Sequence, residues 1–307
     1  MDWGLVLTQI LNGLQLGVLL FLVAAGLTLV FGIMDFINLA HGSMYMIGAF
    51  VCAALTLWLG SFLLAVIIAI PVVAALGIAI EYVIVRRLYH RDHLDHVLAT
   101  FGLILCLDTL VHMIFGPTGY SVPLPAVLNG QVEVLPGIVL PSFRLVIIAV
   151  GLSMAAGLYY VVSHTRLGML IRAGASNRTM VGALGVDIRT LYTLVFALGS
   201  VMAGVAGMMI APITEASIGM GNDIIILAFV VIIIGGIGSV KGAFAAAIIV
   251  GLIDTMGRSY LDDLFKLFMS NQNAETSAPA MSAMLIYILM AAILAVRPQG
   301  LFPPKLR

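Results

Sequence analysis

Charged residues are scarce in this chain of 307 residues: Asp, Glu, Lys and Arg make up 9% of it, against about 25% in ordinary soluble domains. Acidic and basic residues number 14 each, so the formal net charge is zero and no basic surface for nucleic acid is indicated. Cysteine is also rare, and Cys52 and Cys106 lie within apolar runs, where they say nothing about the redox compartment. Hydrophobic residues, in contrast, make up 62% of the chain, and the mean hydropathy is +1.18. This composition excludes a water-soluble globular protein.

Apolar runs recur along the whole sequence, and several are shorter than the roughly 20 residues that a helix needs to cross a bilayer. The short runs lie around Gly60 and around 239–242, and such pieces are typical of tilted spans or broken helices. The sequence therefore predicts an all-α polytopic membrane protein. It forms a single domain over 1–307 with about eight to nine transmembrane helices, some of them broken or short. The runs cover about 5–33, 43–59, 61–85, 97–115, 144–163, 190–211, 223–238, 243–257 and 279–296.

The basic residues predict the orientation of these spans. Arginine and lysine concentrate between 86 and 91, between 166 and 189, and after 297, whereas the loop 116–143 and the segment 212–222 have none. The positive-inside rule assigns the three basic segments to the cytoplasm and the other two to the outside. Nine alternating crossings then predict an external N-terminus and a cytoplasmic C-terminus.

Two of the predicted outer loops have a pattern of their own. The external loop 116–143 is rich in Pro and Gly, which favours an ordered cap or a short interfacial helix with turns. The segment 258–278 spaces its apolar residues as an amphipathic helix at the outer surface would, although a plain connecting loop fits it equally well. Both interpretations of 258–278 stay open on the sequence alone.

Ionisable residues within apolar runs need a partner or water, because a charge at the centre of a membrane helix costs about 2.5–3.5 kcal/mol. Asp108 and His112 lie four residues apart and share a helix face. They fit a proton relay, a mutually satisfying pair, or residues that line a watery cavity. Asp254 with Arg258, and Glu81 with the arginines that follow it, are predicted to form interfacial ion pairs.

Motifs for metals, nucleotides or catalysis are weak or missing. The segment YHRDHLDH places His90, His93 and His96 at a spacing that drifts around a helix, so a solvated loop is favoured over a metal site. The glycines of 235–242 (GGIGSVKG) fit neither GxxxxGK[ST] nor GxGxxG, and close helix packing or a helix break explains them better. The chain also has no HExxH or GxSxG. The sequence predicts no catalytic residue and no metal ligand.

Polar residues interrupt the first two apolar runs without forming a hydrophilic loop. Asn38, His41, Gly42 and Ser43 follow a long apolar run, and the next run begins directly afterwards. Backbone that leaves a helix at membrane depth must be satisfied by protein or line a water-filled path, and a half-helix that begins near Gly42 would direct its amide dipoles there. A tight cytoplasmic turn between two ordinary helices is the alternative.

The basic cytoplasmic segment 164–189 contains apolar residues at helical spacing, a pattern of little use to a solvated loop. This pattern favours a helix pair that docks on a partner protein over an amphipathic helix on the membrane surface. The apolar residues in question are Met169, Ile171, Met180, Ala183 and Leu184.

These two segments together resemble the permease subunits of branched-chain amino-acid ABC importers, and in particular the shorter of the two permease types that such systems pair. The stretch from Asn12 through Asn38-Leu39-Ala40-His41-Gly42 to Phe50 is similar to the most specific signature of the family. The coupling loop from Thr165 to Val186, the glycine-rich 235–243 and the ending 297–302 are similar too. The chain departs from the family at Thr179, Met180 and Val181, where an acidic residue and alanines are usual, which puts the detailed docking contact in doubt.

The resemblance implies a multi-pass subunit of the bacterial inner membrane. It works with a second, homologous permease, two cytoplasmic ATP-binding subunits and an external solute-binding protein that delivers Leu, Ile or Val. ATP would be used by the partner subunits, with no cofactor in this chain and no enzyme activity of its own. The implied substrate pathway contains Asn38, His41, Gly42, Ser43, Asp108, His112, Gly235, Gly236 and Gly238. The implied ATPase-coupling residues are Arg166, Arg172, Asn177, Arg178, Met180, Leu184 and Gly185.

Other functions remain open at this point. A permease of the same family could carry urea, short amides or another small solute. A proton-coupled secondary transporter would depend on Asp108 and His112, and a membrane-embedded enzyme would need a polar catalytic cluster that the sequence does not display. The segments 36–50 and 235–250 are further expected to be related internal repeats, as in other transporters.

Overall fold

The computed structural model describes residues 3–125, 128–135 and 138–302, and the chain in these ranges is almost entirely helical. A short 3-10 turn at Val85–Arg87 and a two-stranded hairpin are the non-α elements of regular structure in that part of the chain. The α-helices are α1 (Trp3–Met34), α2 (His41–Leu59), α3 (Phe62–Val83), α4 (His93–Phe115), α5 (Ser142–His164), α6 (Arg166–Ala183), α7 (Ile188–Thr214), α8 (Met220–Gly235), α9 (Val240–Lys266) and α10 (Asn271–Val296). The strands are β1 (Gln131–Leu135) and β2 (Ile138–Pro141).

Among the residues that the structure describes, eight helices are long and apolar enough to cross a membrane. They are α1, α2, α3 with the turn that follows it, α4, α5, α7, α9 and α10. Helix α8 is apolar but has 16 residues, which at 1.5 Å per residue is short of the roughly 30 Å of hydrocarbon. The predicted fold class, with eight to nine spans of which some are short, is confirmed.

Helices α1, α2 and α7 form the interior of the molecule. In the most apolar stretches of α1 and α7, 83% and 78% of the residues are buried, against 11% in α10. Because lipid is as apolar as leucine, helices in a membrane associate through close packing of small residues rather than through burial from water. A Cβ on Gly26 of α1 would lie 2.8 Å from the carbonyl oxygen of Gly199 in α7, and one on Gly17 would lie 2.9 Å from that of Ala247 in α9. Glycines thus bring these backbones together.

Two sets of four helices, α1–α4 and α7–α10, repeat one plan. Each first helix ends on an acidic residue in the left-handed region, Asp35 (φ 55°) or Glu215 (φ 67°). A short non-helical link follows, and the next helix has glycine at its second position, Gly42 or Gly221. Packing repeats as well, because α1 lies on α9 as α7 lies on α3, and α2 contacts α3 and α4 as α8 contacts α9 and α10.

The second set is inverted relative to the first. Gly26 of α1 meets Gly199 of α7. About two turns further along α1, the Ile33 carbonyl accepts a hydrogen bond from Tyr192 (3.4 Å), which precedes Gly199 in α7. Helices α1 and α7 are therefore antiparallel. The expected pairing of 36–50 with 235–250 is wrong in its second member, since the counterpart of 35–50 is 215–229. The glycines of 235–242 form the α8–α9 turn instead, which corresponds to the α2–α3 turn at Gly60.

The structure tests the alternatives for the two predicted outer segments. The loop 116–143 forms an antiparallel hairpin, with Val132 opposite Leu140, before α5 begins at Ser142. Its described residues thus fit the predicted ordered cap rather than the short interfacial helix, while 126–127 and 136–137 lie outside those residues. The segment 258–278 is neither a separate amphipathic helix nor a loop, because α9 continues to Lys266 and α10 begins at Asn271. Its helical spacing belongs to the ends of two long helices.

Candidate functional site

The non-helical link between α1 and α2 is enclosed by the chain itself. Asn38 and His41 are each 1% exposed, and Ser43 is also buried. The backbone N–H of Leu39 donates a hydrogen bond to Thr100 Oγ1 of α4 (3.3 Å), so a side chain replaces the helical partner that the link has lost. The predicted helix break is present, and α4 and α7 cover it.

Two buried polar atoms in this region have unused hydrogen-bonding capacity. Asn38 Oδ1 and His41 Nε2 have no hydrogen-bond partner among the described residues. Gly42 packs on Gly221, where a Cβ on either residue would overlap the backbone of the other. The two half-helix starts therefore meet at the centre of the repeat. An amide and an imidazole beside this contact could bind a polar group once the helices separate, and the pathway role of Asn38, His41, Gly42 and Ser43 stays a prediction.

The link between α7 and α8 has different surroundings. Glu215 and Ser217 are exposed, and Ala216 exchanges two backbone hydrogen bonds of 2.9 Å with Tyr120, which lies in the predicted external loop. This bridge fastens the loop to the second helix break. Movement of either segment is therefore transmitted to the other.

Asp108 and His112 are not a pair in the structure. Asp108 accepts a hydrogen bond from Asn222 Nδ2 at the start of α8 (3.2 Å), whereas the His112 side chain is exposed. An exposed imidazole one turn away and a carboxylate bound to an amide do not form a connected relay in this state. The roles of both residues in the substrate pathway remain predictions.

Gly235, Gly236 and Gly238 form a turn that holds the C-terminal segment. Gly236 (φ 102°) and Gly238 (φ 83°) adopt backbone conformations that favour glycine. The backbone N–H groups of Leu301 and Phe302 donate to the carbonyls of Ile234 (2.8 Å) and Gly235 (3.0 Å), which are the last of α8. The geometry thus explains these glycines by close backbone packing, and their assignment to the pathway is untested.

The segment 164–189 folds as α6, which has a kink. The Thr165 hydroxyl accepts a hydrogen bond from Gly168 N (3.1 Å) and caps the N-terminus. Asn177 departs from helical geometry (φ −155°, ψ 91°), and its Oδ1 accepts from Met180 N (2.9 Å), so it caps a second helical piece. Gly185 (φ 87°) follows the end of that piece. The predicted helix pair is present, with Asn177 as the junction.

Apolar residues of α6 divide between two faces. Ile171 is buried against the chain, so its predicted place on a partner-facing surface is wrong. Met169, Met180 and Leu184 are 55%, 58% and 77% exposed, as a docking surface requires. We call these three residues the α6 apolar surface.

The arginines of α6 are also divided. Arg172 donates to the Val162 carbonyl near the end of α5, and Arg178 Nη1 lies 3.5 Å from the Met34 carbonyl at the end of α1. Guanidinium groups are favourable there because the last carbonyls of a helix lack intrahelical partners and carry partial negative charge. Arg172 and Arg178 therefore fasten α6 to two membrane helices, while Arg166 of α6 and Arg189 at the start of α7 are exposed.

A buried polar cluster at the end of α3 contains more residues than the predicted ion pair. Glu81 is fully buried, and its carboxylate accepts from Arg86 Nε (3.3 Å) and Nη2 (3.2 Å), from Thr193 Oγ1 of α7 (2.7 Å) and from Tyr89. Burial, with the hydrogen bond to Glu81 as a second cause, raises the pKa of Tyr89 well above its ordinary value. The ion pair with Arg86 is confirmed. Tyr89 and Thr193 were missed, because Tyr89 follows the 3-10 turn after α3 and Thr193 lies on α7, 112 residues from Glu81.

The histidine segment contributes to packing. His96 Nε2 lies 2.9 Å from the Leu88 carbonyl oxygen, and its ring contacts Phe36 with centroids 4.4 Å apart. Within the part of the chain that the structure describes, no three His, Cys, Asp or Glu side chains are gathered in a way that could hold a metal ion.

Comparisons with known proteins place the chain in a family. The chain is 30% identical to the high-affinity branched-chain amino acid transport system permease protein BraD of Pseudomonas aeruginosa over 85% of this chain and 89% of the relative. It is 30% identical to the corresponding permease protein LivH of Salmonella typhimurium, over 96% and 94%. It is 28% identical to a probable LivH of Methanocaldococcus jannaschii, over 92% and 88%. No solved structure matches the chain. The model of the family described as branched-chain amino acid transport system / permease component matches residues 9–294, and the chain belongs to this family.

Proposed function

We propose that this protein is one membrane subunit of an ATP-binding-cassette importer for the branched-chain amino acids Leu, Ile and Val. It would pair with a second permease, take substrate from an external binding protein and dock two cytoplasmic ATPases. The observation that carries the coupling role is the α6 apolar surface, since exposed Met and Leu side chains on a non-spanning helix are typical of a protein interface. The family membership and the names of the relatives support the substrate class.

The orientation that we propose has the N-terminus outside and the C-terminus in the cytoplasm. Four arginines in 164–189 and no Lys or Arg in 116–143 support it through the positive-inside rule. The side of α6 then carries the ATPases, and the hairpin β1–β2 faces the binding protein. This arrangement makes the protein a multi-pass subunit of a bacterial plasma membrane.

The contacts of α6 suggest how a push from the ATPases reaches the pathway. Arg172 contacts the end of α5, and Arg178 contacts Met34, directly before the link that contains Asn38 and His41. A displacement of α6 therefore acts on the end of α1 and on the first helix break. Such a displacement can bias the crossing of Gly42 and Gly221 between two arrangements, which is what alternating access requires.

The test is a charge on the α6 apolar surface. Leu184→Asp should detach the ATPases or uncouple ATP hydrolysis from uptake, because a central apolar contact in an interface is typically worth about 2 kcal/mol or more. Leu267→Asp is the matched control, since Leu267 is exposed to the same extent (75% against 77%) but lies between α9 and α10, on the proposed outer side. The measurements are co-purification of the ATPase subunits and leucine uptake with coupled ATP turnover in proteoliposomes.

The two variants separate docking from general damage. We expect Leu267→Asp to retain both the ATPases and uptake, and Leu184→Asp to lose uptake while the permease still inserts. Retention of the complex and of coupled turnover in Leu184→Asp would remove α6 as the coupling element. An unsubstituted complex that hydrolyses ATP without accumulating Leu, Ile or Val would overturn the substrate assignment.

A further inference from the structure

A cavity of about 220 Å³ lies between α8, α9 and α10, away from both the α1–α2 link and α6. Its volume is below the roughly 300–1,000 Å³ of pockets for drug-sized ligands, which suits a solute with few heavy atoms. The lining combines three charged side chains with apolar and aromatic ones. The residues are Asp223, Ile226, Leu227, Asp254, Arg258, Ala283, Ile286 and Tyr287.

Asp254 is the buried charged group of this cavity. It lies at the middle of α9, and its side chain is 8% exposed. Oδ2 accepts a hydrogen bond from Arg258 Nε (3.0 Å), but Oδ1 is buried and has no partner among the described residues. A buried carboxylate with a single donor is costly, and Asp254 carries this cost on a residue that lines a cavity.

Arg258 supplies the opposite charge at the same place. Its side chain is 65% exposed, and its Nε–H is the donor committed to Asp254, which leaves the two terminal nitrogens of the guanidinium available. Asp223 is exposed nearby on α8. Charged side chains in membrane helices face a bundle interior or a water-filled cavity rather than lipid. The outer face of α8, α9 and α10 around this cavity is therefore a wet surface.

We infer that this cavity is a binding site for the zwitterionic head group of an α-amino acid. The ammonium group donates to the Asp254 carboxylate, and the ligand carboxylate accepts from the terminal N–H groups of Arg258, a fork that matches a carboxylate. Because Asp254 and Arg258 are already in contact, their free atoms are close enough for the adjacent charges of one α-amino acid. Ile226, Leu227 and Ile286 provide the apolar wall for an aliphatic side chain. The inference rests on the proposed function and adds a place of contact in this subunit.

A purely structural ion pair is the competing explanation, and α9 contains a comparison for it. Asp262 and Lys266 form the same i, i+4 pair (2.5 Å) about two turns further on, and Asp262 Oδ1 is likewise buried without a partner among the described residues. The two pairs differ in that Asp254 and Arg258 line the cavity. If the pair at 254 is purely structural, its substitution should affect binding of leucine no more than substitution of the pair at 262 does. Asp262→Asn is therefore the matched control for Asp254→Asn.

The experiment measures whether an amino acid covers the cavity. In the assembled importer in proteoliposomes, with Cys106→Ser and the buried Cys52 retained, Ala283→Cys reports on the lining and Ala280→Cys on an exposed position of α10 outside it. Tyr287→Cys is a second reporter if Ala283→Cys does not assemble. The rate of reaction with a water-soluble maleimide is followed with leucine, with 4-methylpentanoic acid and with 3-methylbutylamine. The last two lack the ammonium and the carboxylate respectively.

We expect leucine to slow labelling at the lining position and not at 280, and each of the two analogues to protect much less. Asp254→Asn should raise the leucine concentration for half-protection about tenfold, the value of one charge-assisted hydrogen bond, and Asp262→Asn should leave it unchanged. Absence of protection in an importer that accumulates leucine would overturn the inference and leave the proposed function intact. Equal protection by the amine, or no effect of Asp254→Asn, would also overturn it. Protection without uptake would support the site and contradict the proposed function.

Discussion

The two inverted halves of the chain share a backbone plan but distribute their polar groups differently. In the first half, the helix break after Asp35 is closed, and its amide and imidazole are buried. In the second half, the break after Glu215 is exposed and is bridged to Tyr120 of the outer loop. The same backbone geometry is therefore covered by protein in the first half and exposed in the second half. The difference is carried by side chains and by what lies over each break.

The third helices of the two halves, α3 and α9, differ in the number of hydrogen bonds that their buried carboxylates accept. Helix α3 is apolar until Glu81 near its end, whereas α9 has Asp254 and Arg258 at mid-length. Glu81 has four donated hydrogen bonds from its own chain, and Asp254 has one. The Glu81 carboxylate thus fixes α3 to α7, while Asp254 makes its single hydrogen bond within α9.

The largest expected effect is on the accessibility of engineered cysteines. It tests whether the two halves are inverted across the membrane. In a Cys106→Ser background, Ser217→Cys at the second break should react fully with an impermeant maleimide added outside. Ser176→Cys in α6, on the side of the first break, should not react until the membrane is opened. Labelling of Ser176→Cys from outside would contradict the orientation.

The next effect concerns the crossing that relates the halves. Gly42→Ala and Gly221→Ala each place a Cβ into the backbone of the other helix, which should destabilise the folded protein by about 1–3 kcal/mol or more and lower the yield of assembled importer. Gly102→Ala is the control, since a Cβ on Gly102 of α4 meets nothing within 4 Å. It should be neutral or slightly stabilising. Thermal unfolding in detergent measures all three, and equal midpoints would remove the crossing as a constraint.

A smaller effect compares the charged ends of α3 and α9. Glu81→Ala leaves Arg86, Tyr89 and Thr193 without their common acceptor, so the unfolding midpoint should fall by several degrees. Asp262→Ala removes a half-exposed i, i+4 pair with one donor and should shift the midpoint by about one degree. Similar shifts in the two variants would mean that the Glu81 cluster contributes no more than a surface pair.

Periodicity was sufficient for most of the fold. The apolar runs predicted the membrane helices within a few residues at most ends, and the polar interruption at 38–43 marked a helix break that the structure contains. Met180 and Leu184, spaced by four, were expected on one exposed face of a helix, and both are exposed. These features are local, so a single stretch of sequence is enough to predict them.

Such local patterns could not predict contacts between segments that are distant in the sequence. Asp108 binds Asn222, 114 residues away, and helical spacing pointed to His112 instead. Ile171 and Met180 have the same apolar character, and only the packing of α6 on its neighbours decides that one is buried and the other exposed. Asp254 was predicted as a simple ion pair, because the sequence does not reveal that one carboxylate oxygen is left without a donor.

The two sides of α6 differ in how strongly the fold constrains their residues, and this difference has an evolutionary consequence. Gly168, Ile171 and Gly174 of the first piece are committed to contacts within the chain, so their identities are constrained by the fold. Thr179 and Met180 of the second piece are exposed, and they are two of the three positions at which the coupling loop departs from the usual pattern. Substitutions at such exposed positions can therefore accumulate without disturbing the contacts that hold α6 against the membrane helices.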